Sequence, residues 1–313
     1  MDNNNFWNGK TVLLTGVSGF IGSWMAVWIL EHGGKIIGIS RRESSPFSNY
    51  ALCRLEEKVT LEKGDIKDRE FLQNACKKHQ PEIVLHLAGQ AIVGCSEEDT
   101  LSTNILGTLN VLECVKESES IKVCLFVTSS KCYGENKCWD TSYSKSKGCA
   151  DLLIDVYRNT FFAKENYKMH GTAIVNFMLD NVVGGGDWGK NRLVPDCIRA
   201  IEDNKAISLR TPNAVTYWSS IFDVVQGISN CVENAFQVYN ETEKICKLER
   251  KQENYKTAGE LAELVAGYYK KELTEYKDSL EHTLRLAVGW YKNYRTENIY
   301  ELCRKQLAEY MME

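Results

Sequence analysis

No two of the 12 cysteines stand in a C-x-x-C pair, and only five histidines (His32, His79, His86, His170, His282) could join them as ligands. That spacing does not build a tetrahedral metal centre. In a 313-residue chain without an apolar leader it does not read as a disulfide framework either. Cys114, Cys124 and Cys149 lie in apolar stretches, as small core residues do, and no catalytic thiol is expected. The opening residues Met1-Asp2-Asn3-Asn4-Asn5 lack the apolar run of a secretion signal. The longest apolar-looking stretch, Phe20 to Leu30, ends at Glu31-His32 and is too short to cross a bilayer. The expected location is the cytoplasm, with no membrane partner. There is no basic run and no interleaving of basic with aromatic residues. With a net charge of -4, nucleic acid is not an expected partner. Repeats, low-complexity tracts and Pro/Gly linkers are missing too. What remains is 43% apolar and 26% charged, ordinary for a soluble globular protein. The length suits one large domain or two closely joined ones.

Short apolar runs alternate with helix-length segments through the first half. Thr11-Val12-Leu13-Leu14 predicts a buried strand, followed by a glycine turn and a helix through Leu30. Further strands are expected at Lys35–Ile39, Val59–Leu61, Glu82–His86, Val123–Val127 and Gly171–Asn176. Helices are expected at Asp68–His79, around Asn104–Lys116, and from Tyr143 to about Phe162. Such βαβ alternation predicts an α/β fold, a Rossmann-type doubly wound parallel sheet. Beyond Asn176 the pattern is irregular, and the segment after Tyr255 is mostly helical. We expect residues 1–175 and 214–240 to form the dinucleotide-binding domain. Residues 176–213 and 241–313 would then make a smaller, discontinuous cap over the carboxyl ends of the strands, where ligands of such sheets bind.

The turn Thr15-Gly16-Val17-Ser18-Gly19-Phe20-Ile21-Gly22 has the spacing of a pyrophosphate cradle. Gly16 permits the tight turn, Gly19 the approach of a phosphate, and Gly22 the packing of the helix, whose N-terminus attracts negative charge. Asp65 and Ile66 follow the third strand, where a carboxylate can accept from an adenine amino group or cap the next helix. After the second strand, an acidic residue would grip the ribose of NAD. The chain has Arg41 and Arg42 there, which suit the extra phosphate of NADP or a solvated turn, so the residues alone lean slightly towards NADP. Tyr143 and Lys147 lie one turn apart on a helix face. The ammonium would lower the phenol's ordinary pKa of about 10, making it a base near neutral pH. Ser129, after the fifth strand, can hold the hydroxyl that Tyr143 deprotonates. Together these residues predict redox chemistry on an alcohol.

With these residues in place, the chain resembles the extended short-chain dehydrogenase/reductase family, and within it the CDP-glucose 4,6-dehydratases. The resemblance rests on Trp7–Lys10 with the glycine turn and Gly22-Ser23-Trp24, and on His86–Gln90, Thr128-Ser129 and Lys131–Tyr133. It continues through Tyr143 to Ala150, Asn181–Trp188, Arg192–Asp196 and Pro212–Ala214. It spans residues 7 to 230 and is faint after 240. It implies a nucleotide-diphosphate sugar oxidised at its C4 hydroxyl, tightly held NAD as cofactor, and a product serving the synthesis of unusual surface sugars. It also implies that Leu87, Ala88, Gly89, Asn104 and Thr128 line the cofactor, with Asn104 supporting the active-site lysine or capping a helix. Gln90, Asn181, Arg192 and Arg210 are expected on the substrate side. Members dimerise through the tyrosine helix, so a homodimer through Leu152, Leu153, Val156 and Tyr157 is expected, although this face also suits core packing.

Three departures shape the functional expectation. The family's general-acid aspartate is Ser130 here, while Lys131 keeps the position of the base that removes the C5 proton. A serine hydroxyl is a far weaker acid than a carboxyl. The loop between Gly134 and Tyr143 is short, leaving space for a sugar longer than a hexose. Thr216 replaces an arginine that grips the nucleotide phosphate, with Arg192, Lys190 or Arg210 as substitutes. The expected activity is therefore C4 oxidation without loss of water. The rivals are dehydration through Ser130 and a bound water, 4-epimerisation, and a cofactor-binding protein without turnover. CDP or GDP could be the nucleotide.

Overall fold

The structure is a computed structural model that describes residues 6–41, 44–91, 96–132, 141–237 and 245–312. Its main sheet is built from β1 (Thr11–Thr15), β2 (Lys35–Ser40), β3 (Thr60–Lys63), β4 (Ile83–His86), β5 (Val123–Ser129), β6 (Ala173–Leu179) and a later strand, β9 (Ile245–Lys247). The order is β3-β2-β1-β4-β5-β6-β9. Each pairing in it is parallel, so this is the expected doubly wound sheet with one strand added. A second, three-stranded sheet joins β7 (Asn181–Val183), β8 (Val215–Ser220) and β10 (Tyr255–Thr257) in the order β10-β8-β7.

The helices are α1 (Phe20–Glu31), α2 (Asn49–Leu52), α3 (Arg69–His79), α4 (Glu97–Leu101), α5 (Gly107–Lys116) and α6 (Ser142–Thr160). They continue with α7 (Tyr167–His170), α8 (Leu193–Glu202), α9 (Ile221–Gln237), α10 (Ala258–Lys270), α11 (Ser279–Asn293) and α12 (Ile299–Met311).

Strand side chains alternate between faces, and both faces are buried. Leu13, Ile37, Val84, Cys124 and Ile174 point into one core with α3, α5 and α6. Val12, Leu14, Ile36, Leu85, Leu125 and Val175 point into the other, with α1 and α9. That second core runs on without a break into α8, α10, α11 and α12, which fixes the small sheet against the large one.

The expected division of the chain needs correction at three places. The main sheet takes β6 as far as Leu179 and also claims Ile245–Lys247, both assigned above to the cap. Residues 215–220, expected in the dinucleotide-binding part, pair with β7 and β10 in the small sheet. Three-residue strands carry too little periodicity to be read without their partners.

The loop Gly184-Gly185-Gly186-Asp187-Trp188 is held from three sides. Trp24 Nε1 donates to the Gly185 carbonyl (2.8 Å) and the Tyr291 hydroxyl donates to the Asp187 carbonyl (2.6 Å). A Cβ on Gly185 would stand 2.4 Å from Trp290, so only glycine lets the loop lie on that ring. Trp290 is itself fully buried, and its Nε1 donates to Asn49 Oδ1 (3.1 Å). We predict that Trp290→Ala destabilises the fold by about 3–5 kcal/mol, the range for deleting a buried large aromatic side chain. Urea unfolding followed by tryptophan fluorescence measures it.

Candidate active site

The glycine turn closes as its spacing predicts. Gly16 has φ +73°, and a Cβ there would lie 2.8 Å from the Ala88 backbone. A Cβ on Gly22 would lie 2.1 Å from the Gly16 carbonyl oxygen, so α1 starts hard against the turn. Gly19 is the N-cap of α1 and contributes no side-chain hydrogen bond. Phe20 and Ile21 are the first residues of the helix. The helix start therefore presents backbone amides to an anion. Thr15 Oγ1 accepts from the Ala88 amide (3.2 Å) and meets His86 Nδ1 at 2.9 Å, tying β1 to the end of β4. Burial first, and then the Lys147 charge, pull His86 down to about 3, so it is a neutral structural group.

At the end of β2 the structure departs from expectation. Arg41 makes ion pairs with Asp65 (3.4 Å) and Asp99 (3.2 Å), and its guanidinium also reaches Thr103 Oγ1. Lys67 joins the same two carboxylates, at 3.7 Å and 3.2 Å. Arg41 is thus committed to carboxylates rather than held open for a second phosphate. Asp65, offered above as an adenine acceptor or helix cap, instead binds Arg41, Lys67 and the Lys67 amide (2.9 Å). The cap of α3 is Asp68. Ile66 is buried under Gly107, and Ser18 Oγ meets Ser40 Oγ at 2.6 Å. Arg42 lies outside the described residues.

Gln90, expected on the substrate side, donates through Nε2 to Asp99 Oδ2 (3.0 Å). That bond, with those from Arg41 and Lys67, holds the Asp99 carboxyl well below its ordinary range despite the opposing effect of burial.

Asn104 is no helix cap. It sits in a π-helical turn, Ser102–Leu106, between α4 and α5, of the kind that often marks functional positions. Its Oδ1 accepts from the Gln90 amide (2.8 Å), and its Nδ2 donates to the Gln90 carbonyl (3.1 Å) and to Ser146 Oγ (2.9 Å). Buried between β4 and α6, it fixes the loop after Leu87. A Cβ on Gly89 would be 3.1 Å from Asn104 Oδ1 and 3.2 Å from Lys147 Nζ, so glycine lets the loop pass over the lysine.

Helix α6 begins at a Thr141 cap whose side chain accepts from the Ser144 amide (3.2 Å). That start places Tyr143 in its first turn. Tyr143 lies close enough to Ser129, buried at the end of β5, for that hydroxyl to bear on its ionisation. Lys147 Nζ donates to the Val127 carbonyl (2.9 Å), and burial pulls its pKa down to about 8. The expected sign at Tyr143 is reversed. Burial pushes the phenol above its ordinary range, against the lowering effects of the Ser129 hydroxyl and the Arg192 charge. Arg192, the N-cap of α8, is thus the protein cation that favours the phenolate. It also pairs with Asp187 at 3.6 Å. Thr128 Oγ1 donates to Asn176 Oδ1 (2.7 Å), a link across β5 and β6.

On the substrate side, Asn181 Nδ2 donates to Thr216 Oγ1 (2.7 Å), joining β7 to β8. Arg210 is exposed in the stretch between α8 and β8. The shortened loop from Gly134 to Tyr143 falls mostly outside the described residues. The Lys131 amide donates to Ser129 Oγ (3.3 Å), and Ser130 Oγ donates to Asp180 Oδ1.

A family profile described as GDP-mannose 4,6 dehydratase matches residues 13–283. The chain belongs to this family. It is 38% identical over 242 residues to the CDP-glucose 4,6-dehydratase of Salmonella typhimurium, covering 72% of this chain and 67% of that one. Among solved structures, it is similar to the dTDP-glucose 4,6-dehydratase of Bacillus anthracis in complex with NAD. The TM-score there is 0.71 and the identity 19%, covering 94% of this chain and 100% of the other. The UDP-glucose 4-epimerase of Thermotoga maritima, solved with UDP-glucose, is similar at TM-score 0.71 and 20% identity, covering 90% and 99%. These two bear on fold, and they agree with the doubly wound sheet described above.

Within this dehydratase-family site, sequence reasoning missed Asp99, Asp180 and Arg250. Asp180 had a usable signal, because a carboxylate directly after a parallel strand faces the ligand edge of the sheet. Arg250 had none.

The charges of the site set two expected outcomes. Arg192→Met removes the cation that favours the Tyr143 phenolate. The alkaline displacement of the pH–rate profile should then lower hydride transfer at pH 7 by about three- to tenfold, read by stopped-flow absorbance of the nicotinamide. Lys147 has a folded-state pKa of about 8, below the ordinary value of about 10.4. Its charge therefore costs stability in full below the folded value, and the cost fades as pH rises towards the unfolded one. Lys147→Met should abolish turnover yet raise Tm at pH 7, and the gain should shrink between about pH 8 and about pH 10 in thermal scans.

Proposed function

We propose that this protein, an NAD-dependent nucleotide-sugar oxidoreductase, oxidises the C4 hydroxyl of a nucleotide-diphosphate sugar and then eliminates water across C5 and C6. The observation that carries the reading is Lys147 anchored on the Val127 carbonyl, which sets Tyr143, one helical turn before it, beside the end of β5 where Ser129 stands. NAD, when bound, would supply the acceptor for the C4 hydride and then the donor that returns it to C6, so the net change in the sugar is loss of water alone. Tyr143 takes the hydroxyl proton, and Ser129 holds the same oxygen. Lys147, fixed to the end of β5, sets the position of α6 and hence of the phenol. The cradle of Gly16, Gly19 and Gly22 suits a dinucleotide, and the commitment of Arg41 to Asp65 and Asp99 supports NAD over NADP.

Dehydration is favoured over the expectation that the reaction stops at the 4-keto stage. The support is the Salmonella relative, a 4,6-dehydratase. Oxidation without loss of water is the second reading, and it rests on Ser130 in place of a carboxyl. CDP is supported by the same relative, and GDP by the family's description. A homodimer through α6 is supported by Leu152 at 67% and Val156 at 56% exposure. Tyr157 is not part of that face, because it is buried and its hydroxyl donates to Glu113. Among the described residues no helix is long and apolar enough to cross a membrane.

Mass spectrometry of CDP- and GDP-sugars incubated with the enzyme and NAD tests the reading. Loss of water is the expected outcome. Loss of two hydrogens would favour the second reading, and unchanged mass with inverted C4 would indicate an epimerase. Tyr143→Phe should lower turnover by about a hundred- to ten-thousand-fold, the usual worth of a general base.

A further inference from the structure

Strands β5 and β6 run in register with Ser129 opposite Leu179. The residues that follow, Ser130 and Asp180, therefore emerge side by side at the edge of the sheet where Tyr143 meets Ser129. Ser130 Oγ donates to Asp180 Oδ1. The same carboxylate receives a two-pronged contact from Arg250, Nη2 to Oδ1 at 2.7 Å and Nε to Oδ2 at 3.1 Å. Arg250 lies in the segment after β9, with its guanidinium carbon 5.5 Å from the centre of the Tyr217 ring. The Asp180 side chain is 18% exposed, so it can exchange protons with solvent while remaining one hydroxyl away from the reacting residues.

A serine hydroxyl gives up a proton near neutral pH only if it receives another in the same event, and a carboxyl is the group suited to supply it. We propose that Asp180 is a positioning residue that delivers the proton of the elimination step through Ser130. This inference rests on the 4,6-dehydratase reading above.

In that step the C5–H bond breaks and its proton passes to the amine form of Lys131. The electrons of that bond become the C5=C6 double bond. The C6–O bond breaks, and the departing oxygen takes the Ser130 Oγ proton to leave as water. Ser130 Oγ is refilled from the Asp180 carboxyl. Asp180 is left as a carboxylate facing Arg250, and solvent returns its proton and takes up that of Lys131 before the next turnover. No oxidant or reductant is consumed.

The test separates hydride removal from water loss in the full-length enzyme. Nicotinamide absorbance follows the first, and the mass of the sugar follows the second. Asp180→Asn should keep nicotinamide reduction within about threefold of the parent while water loss falls about a hundredfold or more, the range for a proton donor. Placing a carboxyl directly at the serine, as Ser130→Asp in the Asp180→Asn background, should recover water loss about tenfold or more. A purely structural Asp180 would not respond to that rescue. Water loss at the parental rate in Asp180→Asn would overturn the proposal, as would an equal fall of both steps. So would a parent enzyme that reduces the nicotinamide but never loses water, which would leave the oxidation reading standing. If no nucleotide sugar reduces the nicotinamide at all, the oxidation reading fails as well.

Discussion

An ammonium drawn out of water onto a strand carbonyl organises most of this molecule's active site. Lys147 Nζ ends on the Val127 oxygen, so α6 is pinned to the last turn of β5 at the point where the strand delivers Ser129. That pin costs stability, because burial works against the charge. It is retained because the phenol one turn earlier then has a single place to be. The neighbours fit around it. Gly89 crosses above the lysine without a side chain, and Asn104 holds both that crossing and Ser146 of the same helix. The π-helical turn in the chain before α5 is what aims Asn104 inward.

Electrostatics divides the site into two ends with different logic. At the β2–β3 end, Arg41 and Lys67 are matched by Asp65 and Asp99, so the cations are largely neutralised where an extra phosphate would need them. At the β5–β6 end, the charge that bears on Tyr143 comes from Arg192 on α8, and Asp180 faces Arg250 from the segment after β9. Both of these arginines belong to the irregular second half of the chain. The chemistry is thus seated on the regular sheet and tuned from outside it.

Much of this arrangement is legible in the order of the residues alone. The glycine turn, Ser129, Tyr143 and Lys147 lie in long, regular βαβ units where periodicity and spacing are strong signals. The first six strands fall within a few residues of where their apolar runs place them. The three-residue strands β7, β9 and β10 escape such reading, since each is defined by partners far away in the chain. Ion-pair partners are equally hidden: Arg41 reads as a phosphate ligand until Asp99 is placed beside it. The expected downward effect of Lys147 on Tyr143 fails because spacing shows proximity along a helix. It does not show where the ammonium ends or how much water the phenol loses. Asp180 is easily passed over for its neighbour Asn181, although both leave the same strand edge.

The clamp on the loop at Gly184–Trp188 joins parts of the chain that are far apart in sequence. The six parallel strands up to Leu179 come early in the chain. The loop's floor, Trp290, and its hydroxyl donor, Tyr291, emerge much later. Arg192 reaches the same loop through Asp187. The seating of that loop therefore couples the environment of Arg192 to side chains near the end of the chain.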